Sequence, residues 1–267
     1  MTATDDDLVH FEAHGAMPLP AARSEGFVDN DGARIWYATS GSGPAVVLLH
    51  GGLGNSGNWG YQVPALVASG RQAVVIDSRG HGRSTRDQQP YTYELMASDV
   101  LAVMDRIGID RAALVGWSDG ACTALILADR EPHRVSGVFF FACSMDPSGT
   151  KPFVATPVID RCFSRHRQDY AALSATPDQF EAFVEDVSHM MATEPNYSAE
   201  DLCRLSVPVA IVLGDADEFI KTEHAAYLVR SIPGAEFIGL AGVSHFAPLQ
   251  RPESFNRQVL GFLDRTG

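Results

Sequence analysis

Ala112-Ala113-Leu114-Val115-Gly116-Trp117-Ser118-Asp119-Gly120-Ala121-Cys122-Thr123-Ala124-Leu125-Ile126-Leu127-Ala128-Asp129 is the stretch on which the reading of this chain turns. Ala112 to Val115 is a short apolar run of the kind a strand buried on both faces shows, and Ala121 to Asp129 reads as a helix. Between them, Gly116-Trp117-Ser118-Asp119-Gly120 has the form GxSxG. Glycine and serine are common enough that this pattern alone carries little weight. The strand leading in and the helix leading out change that, because a tight turn in such a setting lifts a serine hydroxyl above a sheet. The flanking glycines let neighbouring backbone close in on a strained turn. Ser118 is therefore the candidate nucleophile, and a serine hydroxyl needs a base within hydrogen-bond reach.

Outward from this stretch the alternation continues. Arg34 to Thr39, Ala45 to Leu49, Gln72 to Ile76, Val135 to Ala142, Val207 to Leu213 and Glu236 to Leu240 read as strands. Tyr93 to Ile107 and Ser254 to Leu263 read as amphipathic helices. The expectation is an α/β fold with a mostly parallel central sheet and helices on both faces. Met145 to Ser206 is the exception: strand signals stop, prolines punctuate short helical stretches, and Phe163, Phe183 and Met191 are among its large apolar groups. The expected organisation is an N-terminal arm at 1–24, a core at 25–144 and 207–267, and a small helical cap at 145–206.

Composition narrows the partners. A net charge of −13 over 267 residues argues against nucleic acid or an anionic membrane surface. No run approaches the roughly 18 to 20 apolar residues a membrane span needs, and the acidic start is unlike a secretory signal. Cytoplasmic location is the expectation. Cys122, Cys143, Cys162 and Cys203 are scattered with no CxxC pair, which suits reduced, mostly buried thiols. His10 and His14 stand four apart but have no third ligand nearby, and neither GxGxxG nor GxxxxGK[ST] is present. No metal and no cofactor are expected.

Where a serine sits on a strand–turn–helix of this kind, the acid and the base follow it in chain order. His245 lies in Ala241-Gly242-Val243-Ser244-His245-Phe246, after the strand at Glu236 to Leu240 and before the final helix. His10, His14 and His50 precede the serine, His81 sits in a turn, and His133, His166, His189 and His224 fall on a link, a helix or the insertion. A carboxylate that orients the base belongs after an intervening strand. Gly214-Asp215-Ala216-Asp217-Glu218 offers three, and spacing leaves the choice open, with the other two read as solvated loop residues. An oxyanion needs amide donors: one from Asp119, the other from Gly52 or Leu53 in His50-Gly51-Gly52-Leu53-Gly54.

With these motifs in order, the chain resembles the α/β-hydrolase family over residues 26–267. His50-Gly51-Gly52 is similar to the family's oxyanion loop, with Trp59 at a position often held by tryptophan. Asp77-Ser78-Arg79-Gly80-His81-Gly82-Arg83-Ser84 resembles its D-x-R-G-x-G-x-S turn, and Glu131-Pro132-His133-Arg134-Val135 its link from the elbow helix to the next strand. Gly214 followed by Asp217 matches a G-x-x-D acid motif, which singles out Asp217, and Gly242 to Phe246 resembles the histidine loop. The resemblance implies a serine hydrolase acting on a small carboxylic ester or lactone through an acyl-serine. Ser118, Asp217 and His245 would be the catalytic triad, Gly52, Leu53 and Asp119 the oxyanion hole, and Asp119, Trp117 and Phe246 substrate contacts, with the cap as a lid. The elbow is also similar to that of aminoacyl-ester hydrolases of the valacyclovir hydrolase type, in which an acidic residue after the serine meets the substrate's amine; Asp119 matches that position. Serine in place of aspartate at the nucleophile argues against haloalkane dehalogenases. Cofactor-free haloperoxidases, enol-lactone hydrolases and a non-catalytic ligand receptor on the same fold remain the alternatives.

Overall fold

The computed structural model describes residues 8–266; the beginning of the expected arm, residues 1–7, lies outside them. The described chain opens with α1 (Val9–His14) and a hairpin of β1 (Ser24–Asn30) and β2 (Ala33–Gly41). Strand and helix then alternate through β3 (Ala45–Leu49), α2 (Gln62–Ala68), β4 (Gln72–Ile76), α3 (Tyr93–Arg106), β5 (Ala112–Trp117), α4 (Asp119–Arg130) and β6 (Val135–Phe141). Three helices, α5 (Pro157–Leu173), α6 (Phe180–Thr193) and α7 (Ala199–Cys203), follow. The sheet resumes with β7 (Val209–Gly214), α8 (Thr222–Ser231) and β8 (Glu236–Leu240), and α9 (Ala247–Gln250) and α10 (Pro252–Thr266) close the chain.

The eight strands form one sheet in the order β1-β2-β4-β3-β5-β6-β7-β8. β1 to β2 and β2 to β4 are antiparallel and every other pairing is parallel, giving the expected α/β architecture. The apolar runs of β3 and β5 sit side by side in the middle, where no residue needs a polar face. From β3 the chain crosses to β4 on one side, and from β5 to β6 on the other. That reversal opens a crevice beyond the carboxyl ends of β3 and β5, the place where open α/β sheets bind ligands. The loop at His50 and the turn at Ser118 emerge there.

Strand β1 departs from the sequence reading, which places residues 25–33 in no strand. Ser-Glu-Gly-Phe-Val-Asp-Asn has no apolar run because it is an edge strand, exposed or half-exposed at every position. Phe27 sits opposite Trp36 across the pair, with the Arg34 guanidinium 4.5 Å from its ring. Helix α1 packs on α5, with Phe11 edge-on to His166. The His10 and His14 rings are 4.8 Å apart, and among the described residues no group of three or more His, Cys, Asp or Glu stands ready for a metal. No helix among them is long and apolar enough to cross a membrane.

The turn after β4 braces this crevice from below. Asp77, fully buried, accepts from the amides of Ser56 at 2.7 Å and Arg83 at 2.9 Å. Ser84 donates to the Asp77 carbonyl at 2.6 Å and accepts from the Trp36 amide at 2.8 Å. Arg79, almost wholly buried, makes a two-pronged bond to Asp99 of α3 and reaches the carbonyls of Asn30 and Asp31 in the first hairpin. A guanidinium in this setting is tolerated only because every prong has an acceptor. Asp99→Ala is expected to lower the unfolding free energy by about 3–5 kcal/mol in urea denaturation. A loss below about 1 kcal/mol would show that the buried ion pair is not what fixes the turn to α3.

Candidate active site

At the end of β5 the backbone must reverse into α4 within one residue. Ser118 does so at φ 53°, a region that costs a non-glycine residue energy and that the surrounding packing enforces. Gly116 and Gly120 permit it: a Cβ on Gly116 would lie 2.4 Å from Ala121 Cα, and one on Gly120 2.1 Å from the Leu49 carbonyl oxygen. The Ser118 amide donates to the Phe141 carbonyl of β6 at 2.9 Å, and its carbonyl accepts from the amides of Ala121 and Cys122. The serine side chain is left half-buried at the mouth of a cavity of about 400 Å³.

His245 reaches the same cavity from the loop after β8. Its Nδ1 lies 2.9 Å from Asp217 Oδ2, and both side chains are buried. Asp217 Oδ1 accepts from the amides of Phe219 and Ile220, each at 2.8 Å, which fixes the carboxylate's orientation. The other two acids of this loop are more than solvated residues. Asp215 accepts from the Gly242 amide at 2.9 Å, and Glu218 from the His245 amide at 3.0 Å. Both hold the histidine loop by its backbone. The edge of the His245 ring meets Phe219, with centroids 4.7 Å apart. Ser118 and His245 line the same cavity, and the ring bond formed by His245 among the described residues is the one to Asp217 rather than to Ser118 Oγ. Bonds of the latter kind commonly tighten only when substrate is present.

The loop after β3 lines the cavity beside Ser118, where a Cβ on Gly51 would come within 3.2 Å of the Ser118 Cβ. The amides of Gly52 and Leu53, with that of Asp119, donate to no acceptor among the described residues, and all three residues line the cavity. Leu53 takes φ 63°. Sequence reasoning sets His50 aside because it precedes the serine, yet it anchors this loop. Its Nδ1 lies 2.7 Å from the Gly51 carbonyl and its Nε2 accepts from the Ser78 amide at 3.0 Å. Burial lowers its pKa, so it acts as a neutral hydrogen-bonding strut. Trp117 and Phe246 are buried and line the cavity beside Ser118 and His245, their rings edge-on at 5.9 Å. Trp59 packs edge-on against Trp117 from outside the cavity.

Asp119, expected at the site from the sequence, has a partner that the sequence does not announce. It is buried, its Oδ1 accepts from the Tyr93 hydroxyl at 2.7 Å, and its Oδ2 has no partner. Burial pushes its pKa up to about 6, against the pull of the Tyr93 bond and the His245 charge. Tyr93, at the start of α3, also gives its amide to Glu194 at 3.1 Å. Nothing in the helical pattern around Tyr93 marks this role, since Tyr93 and Asp119 are 26 residues apart. Phe163, Val184, Val187 and Met191 from α5 and α6 make the remaining cavity surface largely apolar.

A family profile described as alpha/beta hydrolase fold matches residues 44–193. A dihydrolipoyllysine-residue acetyltransferase component of the acetoin cleaving system from Cupriavidus necator is 29% identical over 94% of this chain and 73% of its own length. Epoxide hydrolase B of Mycobacterium tuberculosis is 42% identical over 36% of this chain. The chain spans only 28% of the length of that hydrolase, and 66% of a second acetyltransferase component, from Pseudomonas putida. Among solved structures, an N-acyl homoserine lactone degrading enzyme is 28% identical, covers 89% of this chain and all of its own, and superposes with a TM-score of 0.69.

A carboxyl held at about 6 keeps its proton where the unfolded chain has already released it. Stability from this group is thus full below about pH 4 and lost as pH rises through about 6. Asp119→Asn removes the titration. Its unfolding free energy relative to wild type should rise by about 2–2.5 kcal/mol between pH 4 and pH 7.5 in urea denaturation. A difference that does not change with pH would refute the burial argument.

Proposed function

Because the chain belongs to the α/β-hydrolase family, we propose that it is a serine hydrolase that cleaves small carboxylic esters or lactones through an acyl-serine intermediate. The single observation behind this is the imidazole of His245, bonded through Nδ1 to a buried carboxylate and opening onto the same cavity as Ser118. In the reaction, Ser118 Oγ attacks the carbonyl carbon while His245 Nε2 takes its proton. Asp217 keeps the tautomer with hydrogen on Nδ1 and offsets the charge of the imidazolium. The amides of Asp119 and of Gly52 or Leu53 hold the oxyanion. His245 returns its proton to the leaving oxygen, and water then repeats the sequence to free the acid.

The apolar wall from α5 and α6 suits an alkyl or aromatic acyl group, and residues 145–206 act as a cap that keeps water from the acyl-enzyme. A second reading has a specific observation in its favour. Asp119 Oδ2 is a buried, unpaired acceptor in a residue that lines the cavity, and an ammonium group on the substrate would satisfy it. Aminoacyl esters are the corresponding substrates.

Ser118→Ala should lower turnover of a short-chain p-nitrophenyl ester by roughly 10⁴-fold or more with the circular dichroism spectrum unchanged. Asp217→Asn should cost on the order of 10³–10⁴-fold. Retained turnover in either variant rejects the mechanism. For the amine reading, Asp119→Asn should reduce kcat/KM for aminoacyl esters by about 10- to 100-fold relative to matched esters without the amine. Equal losses on both would dispose of it.

A further inference from the structure

Two thiols that the mechanism does not use meet directly behind the nucleophile. Cys122 Sγ, in the first turn of α4, lies 3.0 Å from Cys143 Sγ, two residues beyond β6. Both are free and buried, and Cys143 lines the cavity. Cys122 Sγ also lies 3.0 Å from the Ser144 carbonyl, so its thiol hydrogen points along that bond and its sulfur faces Cys143. Each thiol sits on a segment tied to Ser118 by backbone. The Cys122 amide donates to the Ser118 carbonyl at 3.2 Å, and the Ser118 amide to the Phe141 carbonyl at 2.9 Å. Between Phe141 and Cys143 the chain turns through Ala142 at φ 57°, a conformation with little freedom to adjust.

We propose that Cys122 and Cys143 are an oxidisable dithiol pair, and that their conversion to a disulfide by a peroxide lowers turnover at Ser118. The pocket-facing Cys143 reacts first, because a peroxide enters by the cavity while Cys122 is sealed. Burial also raises the Cys122 pKa, which keeps that thiol protonated and slow to attack. The Cys143 sulfur attacks one peroxide oxygen and breaks the O–O bond. It becomes a sulfenic acid, and the leaving oxygen carries its proton away as water. The Cys122 sulfur then displaces hydroxide from the sulfenic sulfur, forming the S–S bond and a second water as its own proton leaves. Two thiols lose two hydrogens and one hydrogen peroxide becomes two waters. Closing the gap draws the sulfurs roughly 1 Å together. That strain falls on the start of α4 and on the segment after β6, the two supports of the Ser118 turn.

The turnover part rests on the serine-hydrolase reading, and the chemical part does not. The reduced full-length protein, treated with hydrogen peroxide, alkylated and digested without reductant, should yield a Cys122–Cys143 linked peptide lacking two hydrogens. Turnover of a p-nitrophenyl ester should fall by roughly tenfold or more, and dithiothreitol should restore it. In C122A the same treatment should leave a Cys143 sulfenic acid that dimedone traps, whereas wild type gives no dimedone adduct there. Should C122A be poorly folded, C122S serves in its place. Both thiols still alkylatable after exposed Cys203 has been oxidised would overturn the proposal. Linkage with unchanged turnover would equally overturn the coupling to Ser118. A reduced protein without any ester turnover, but with the linked peptide, would count against the hydrolase reading instead.

Discussion

The close approach of two strand ends governs this molecule. β3 and β5 are neighbours in the sheet, and the backbone of α4 leaves β5 so near to Leu49 that only glycine fits at 120. Once those backbones touch, Ser118 has no path into the helix except through positive φ. Its side chain is then directed away from the sheet and into the crevice where the strand order reverses. The loop after β3 and the turn after β6 leave strands at or beside that reversal, and the histidine loop reaches the same cavity from β8 at the sheet's edge. The energy stored in one unfavourable dihedral is held by a sheet whose central strands are buried at nearly every position.

Legibility from sequence followed burial. The central strands show themselves as unbroken apolar runs, and the serine turn as glycines in a strand-to-helix setting. His245 stands out by chain order. Strand β1 leaves no such mark, since an edge strand facing solvent needs no apolar face. Spacing does not separate the carboxylates at 215, 217 and 218, and the resemblance alone singles out Asp217. Their division of labour depends on which one meets a ring nitrogen and which two meet amides of the facing loop. The anchoring role of His50 and the part played by Tyr93 escape notice for a similar reason. Each acts through hydrogen bonds to residues distant in sequence, and local periodicity carries no record of them.

The site combines opposite electrostatic demands in a small volume. His50 is buried and neutral, and His81, below it with ring centroids 5.2 Å away, has a pKa pushed down to about 3 by burial. On the other side Asp119 carries the cost of a buried carboxyl with one oxygen unpaired. The neutral imidazoles are tolerable because backbone groups satisfy them in part. The Tyr93 hydroxyl and the His245 charge favour the ionised form of Asp119, and burial outweighs them both.

The helical segment between β6 and β7 is stitched down at both margins. Lys151 Nζ donates to the Asp217 carbonyl at 2.6 Å and the Lys151 amide to that of Phe219, also at 2.6 Å. At the far end, the Tyr197 amide donates to the Met145 carbonyl at 2.8 Å and its hydroxyl to Asp129 at 3.0 Å. A roof fastened along two sides has little scope to swing open as one piece. Phe153, 62% exposed and stacked on Phe219, lies where that roof meets the cavity. With the roof pinned on both sides, the stacked pair of Phe153 and Phe219 is shared between the helical segment and the acid loop after β7.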